Sequence, residues 1–135
     1  MHPDLGSLWT AAGVVSGFQV TGFALRINRE IDVSGKGDIT WIPPADILNL
    51  LSIAVSMFGV FVAPVIGLGS ANVPVKAFGL SVLLLAAYPF ALAGHYDMFN
   101  PRTHRSWSYC PRQEQVALVI VGVLAIIYIA LVALR

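Results

Sequence analysis

Four long apolar runs, separated by polar segments that carry most of the charge, organise the chain. They extend over about 8–25, 47–68, 75–94 and 116–134. A helix needs roughly 17 to 25 mostly apolar residues to cross a hydrocarbon core about 30 Å thick. Each run meets that length. A membrane β-barrel requires strict apolar–polar alternation, whereas Val116 to Leu134 is almost continuous Val, Ile, Leu and Ala. An unsatisfied backbone amide in lipid costs several kcal/mol, which excludes open strands. The predicted fold is therefore an all-α membrane protein, a four-transmembrane-helix bundle forming a single domain over 1–135.

The ends of the runs carry matching signals. Pro43, Pro44 and Asp46 open the second run, as proline and an acid suit a first helical turn. Pro74 opens the third, Gly67 and Gly69 close the second, and Pro101 and Pro111 precede the fourth. Trp9, Trp41 and Tyr96 fall near run ends, where interfacial aromatics gather. Pro64 and Pro89 lie inside runs and should bend their helices. In the first polar segment Ile31 and Val33, then Ile39 and Trp41, alternate with polar residues around Ser34-Gly35-Lys36-Gly37. That pattern predicts a short β-hairpin in the first loop.

Within the runs the polar residues are weak ones. Gln19 accompanies Ser16 and Thr21, and Asn49, Ser52 and Ser56 share one helical face. Such groups join helices more often than they bind substrate. Gly13 and Gly17 form a GxxxG pair that permits close backbone approach. We assign helix packing to Gly13, Gly17, Gln19, Asn49, Ser52 and Ser56. The middle of every run lacks an ionisable group, and Lys76 sits at an edge. Proton-coupled transporters and cation pathways normally keep such groups there, so the pattern speaks against both.

Charge adds an orientation. Arg26, Arg29, Lys36, Arg102, Arg105 and Arg112 fall in the first and third loops, against Lys76 and Arg135 on the opposite side. The positive-inside rule then places loops 26–46 and 95–115 in the cytoplasm and both termini outside. Met1 to Ser7 holds no Lys or Arg, so the first run is expected to be retained rather than cleaved as a signal peptide. The chain is 57% hydrophobic and 11% charged, where a soluble domain averages about 25% charged. A net charge of +1 gives no reason to expect a nucleic-acid partner.

Candidate chemistry concentrates in the third loop. His95, Asp97, His104 and Cys110 are residue types that serve as metal ligands or acid–base groups. Their spacing matches no short zinc pattern, and no cofactor is expected. Arg102, Arg105, Arg112 and Trp107 suit anionic lipid headgroups, where each basic residue is worth about 1 kcal/mol. Cys110, the one cysteine, cannot form a disulfide within the chain. Juxtamembrane cysteines can take palmitate, although a plain buried or exposed thiol is the commoner case; as a nucleophile it would need Arg112 and His104 to lower its pKa. In the first loop, Gly35-Lys36-Gly37 lacks P-loop spacing, and Lys36 stands where a calcium ligand would be required beside Asp32, Ser34 and Asp38.

No motif fixes a family. The leading expectation is a small integral membrane protein that works through contacts, as an accessory subunit or homo-oligomer, with lipids and another membrane protein or itself as partners. The alternatives are a small oligomeric channel or transporter around Gln19 and Asn49, and a membrane-surface enzyme using the 95–110 loop.

Overall fold

A computed structural model describes residues 4–34, 42–100, 102, 104 and 108–134. Among the described residues the protein is helical, with no strand. Four long helices succeed one another: α1 (Leu5–Ser34), α2 (Pro44–Val65), α3 (Val73–His95) and α4 (Arg112–Ala133). All four are long and apolar enough to cross a membrane.

α1 overturns the expected hairpin. Ile31 to Ser34, its predicted first strand, is the end of the helix; residues 35–41 lie outside the described residues. Arg26 and Glu30, four residues apart in this part of the helix, form an ion pair that supports it. At 30 residues and 1.5 Å per residue, α1 is about 45 Å long. It outruns a hydrocarbon core by several turns.

Pro44 and Pro74 open their helices as expected, and Pro64 has a consequence of its own. Pro64 has no N–H, so the carbonyl of Val60, four residues earlier, loses its helical donor. Helix α2 widens into π turns over Met57–Val62, and the indole Nε1 of Trp9 donates to the Val60 carbonyl at 2.9 Å. α2 stops at Gly67, whose φ of 68° lies in the left-handed region. There Gly67 N–H donates to Pro64 and Leu68 N–H to Ala63, at 3.2 and 2.8 Å, the paired bonds of a Schellman end. α3 ends in the same way. Asp97, at φ 54°, takes the left-handed position, while its N–H and that of Met98 donate to Gly94 and Ala93.

Successive helices run antiparallel. Trp9 meets Val60 and Gln19 meets Asn49 across α1 and α2. Ser52 meets Ser81 across α2 and α3, and Lys76 meets Val132 across α3 and α4. α1 and α4 share no close backbone contact; α2 and α3 lie between them.

The interior is unusually polar. Ser16, Gln19, Arg26, Asp46, Asn49, Ser52, Ser56, Ser81, His95 and Glu114 are all buried. Many large apolar side chains point outward instead, with Phe18 76%, Val65 73% and Ile126 68% exposed. This inversion is what an apolar solvent demands. Lipid accepts Phe and Ile at no cost, and polar groups must find partners inside.

Candidate functional site

Two polar layers are stacked along the α1–α2–α3 interior. The first is neutral. Gln19 Nε2 donates to Ser52 Oγ at 2.7 Å and Asn49 Oδ1 at 3.2 Å. Asn49 Nδ2 returns a bond to the Gln19 carbonyl at 3.3 Å. Ser52 and Ser81 each donate to the other's carbonyl, at 2.7 and 3.0 Å. Ser16 Oγ donates to Ser56 Oγ at a long 3.4 Å. Thus Gln19, Asn49, Ser52 and Ser56 face neighbouring helices.

The second layer is charged and sits where α1 ends, α2 and α4 begin, and α3 ends. Local sequence explains the convergence. Pro43 precedes α2 and Pro111 precedes α4, and each is followed by an acid in the first turn, Asp46 or Glu114. An acid there is favoured by the free N–H groups and positive end of a helix. Glu114 is completely buried. It serves a helix other than its own: Oε1 accepts from Ala45 N–H in the first turn of α2 at 2.7 Å. Its Oε2 lies 2.9 Å from His95 Nδ1 at the end of α3. One carboxylate therefore ties the ends of three helices together.

Asp46 holds the opposite side of this layer. Its Oδ1 accepts from Tyr88 Oη at 2.9 Å, and its Oδ2 lies 3.3 Å from Arg26 Nε. Arg26 Nη1 pairs with Glu30, and its guanidinium carbon stands 5.4 Å from the Tyr96 ring centroid. Arg29 approaches the same ring at 5.5 Å. Both separations are within cation–π range. Arg26 is nonetheless incompletely matched. Nε is near Asp46 but poorly aligned for a hydrogen bond, and Nη2 has no hydrogen-bond partner among the described residues.

The third-loop candidates do not come together as a set, although His95 and Cys110 both lie beside Glu114. His95 is buried against Glu114, Asp97 supplies the left-handed end of α3, and His104 is exposed. Cys110 is half-buried. Burial, followed by the charge of Glu114 and a hydrogen bond to it, pushes the Cys110 thiol above its usual range. That is opposite to what activates a thiolate. Among the described residues, no three of His, Cys, Asp and Glu are placed to share a metal ion. Arg102 and Arg112 are exposed, while Arg105 and Trp107 lie outside the described residues. Gly13 and Gly17 are exposed too, and a Cβ built on either meets no atom within 4 Å.

Sequence reading passed over Glu114, Arg26, Asp46, Tyr88 and Ser81 as site residues. Two signals were present. The acid after Pro111 repeats the arrangement after Pro43-Pro44, and the Arg26–Glu30 spacing extends α1 beyond its apolar run. Tyr88 and Ser81 carried no such mark, because their role depends on the register of α3 against α2. Comparison with known proteins returned no match to a protein family, a characterised protein or a solved structure.

Proposed function

We propose that this chain is an integral membrane protein that works through contacts, as an accessory subunit or homo-oligomer. Loops 26–46 and 95–115 face the cytoplasm and both termini face outside, following the Lys and Arg distribution. Its partners are lipids and either another membrane protein or a second copy of itself, and nucleic acid is not among them. One observation carries the reading. Most interior polar groups bond to one another, while the flanking helices α1 and α4 share no close backbone contact and keep open outer faces. On α1 that open face includes Gly13 and Gly17, where another helix has room to approach closely.

The channel reading needs a wet path past Gln19 and Asn49, and both are buried against Ser52 and each other. The enzyme reading needs at least three of His95, Asp97, His104 and Cys110 to converge, and His104 is exposed while Asp97 turns the chain.

The test is mass measurement of protein extracted into nanodiscs under gentle conditions. The reading expects a particle with more than one 14.5 kDa chain or a co-purifying membrane protein. Gly13→Leu with Gly17→Leu should reduce it to single chains without altering helicity. A lone chain in every preparation, with no captured partner, contradicts the reading.

A further inference from the structure

A cleft of about 280 Å³ opens between the second half of α1 and the start of α2. Phe23, Ile27, Ile31 and Ile42 form its apolar walls, and Arg26, Glu30 and Asp46 its polar part. Ile27, Ile31 and Ile42 are 39%, 55% and 47% exposed, so the walls continue onto the outer surface of the helices. The Arg26 side chain is only 6% exposed, yet Nη2 has no hydrogen-bond partner among the described residues. Buried polar groups are rarely left in that state. The unpaired group is a donor, so a molecule that completes it must bring an acceptor. Among the residues that line the cleft, Glu30 and Asp46 are acidic and Arg26 alone is basic, so the lining disfavours an anion. The acceptor is therefore neutral, and the apolar walls select an apolar body to carry it.

We propose that this cleft binds a neutral, lipid-soluble molecule through a carbonyl oxygen that accepts a hydrogen bond from Arg26. The carbonyl can belong to a dissolved compound such as a quinone or to the ester of a membrane lipid. The contact function proposed above does not require this site, and the site requires only that the chain sit in lipid.

The experiment uses the full chain in nanodiscs of diether phosphatidylcholine, which lacks ester carbonyls, titrated calorimetrically with a decyl-substituted benzoquinone. Saturable binding near one molecule per chain is expected. Ile27→Trp fills the cleft from its exposed wall and should weaken binding at least ten-fold while helicity and melting stay unchanged. Arg26→Lys keeps the charge, removes the forked donors, and should weaken binding similarly. A repeat in ester-linked phosphatidylcholine separates the two sources: loss of quinone binding there identifies the lipid ester as occupant, and unchanged binding identifies the dissolved carbonyl compound. The proposal is overturned if no saturable binding occurs in diether discs, or if Ile27→Trp binds as the wild type does.

Discussion

α1 meets α2 through side-chain hydrogen bonds and charge: Trp9 to Val60, Gln19 to Asn49 and Ser52, Arg26 beside Asp46. α4 meets α3 largely by closeness. At Gly94 an added Cβ would lie 2.8 Å from the backbone of Gln113 and Glu114, and at Gly79 it would collide with the Tyr128 hydroxyl. Polar bonds on that flank lie at its two ends, Glu114 with His95 and Lys76 with Val132. In lipid the hydrophobic effect does not drive helices together, which leaves polar bonding and close contact as the available means. The two flanks use them in opposite proportion.

The largest effect should come from the residue that joins α4 to both α2 and α3. Glu114→Ala leaves His95 and the Ala45 N–H without their partner in a buried place. Removing one member of a buried pair costs about 3–5 kcal/mol. Unfolding in graded detergent mixtures should show a loss of that size, and a loss below about 1 kcal/mol would break the link between α2, α3 and α4. Next is the close-contact flank. Gly94→Ala forces backbone apart and should cost about 1–3 kcal/mol, as overfilled interiors do. Gly13→Ala, on the open face of α1, should leave single-chain stability within about 0.5 kcal/mol of wild type. Equal costs at the two glycines would contradict the assigned α3–α4 contact.

Those glycines show where sequence reading reached its limit. The four helices were legible because period and length are local properties, and the continuous apolar runs already excluded strands. The neutral polar face of α2 was legible for the same reason. Which glycine meets a neighbour is set by register between helices. Gly13 and Gly17 have the familiar spacing and meet nothing within the chain, whereas Gly59, Gly79 and Gly94 carry no shared spacing and lie at close approaches. The hairpin expectation failed because alternation over four residues is a weak signal, and its first strand, Ile31 to Ser34, is the last turn of α1. Glu114 was overlooked because its carboxylate serves the first turn of a different helix.

Smaller effects sharpen the polar flank. A double-mutant cycle on Ser52→Ala and Ser81→Ala should give a coupling of about 0.6 kcal/mol, and no more than about 1.7, as intramembrane hydrogen bonds do. Zero coupling would mean that the reciprocal serine bonds do not hold α2 to α3.

The last effect is a rate. Because burial and Glu114 raise the Cys110 pKa, the folded chain favours the neutral thiol. This preference contributes to stability below the ordinary thiol pKa, and the contribution disappears as pH rises through the folded value. Maleimide labelling of Cys110 should therefore begin its rise at higher pH than labelling of the unfolded chain, and Glu114→Gln should move it back down. Identical pH profiles for folded and unfolded protein would remove Glu114 from the surroundings of this thiol.

The central claim is that the molecule is inverted, with its polar residues inside and its apolar residues against lipid. Labelling in membranes with a lipid-dissolved diazirine, read residue by residue in a mass spectrometer, addresses it directly. The account predicts heavy labelling at Phe18, Phe58, Phe90 and Ile126 and almost none at Gln19, Asn49, Ser52 and Ser81. Comparable labelling of the two sets, or a chain that stays in the aqueous phase unlabelled, would contradict it.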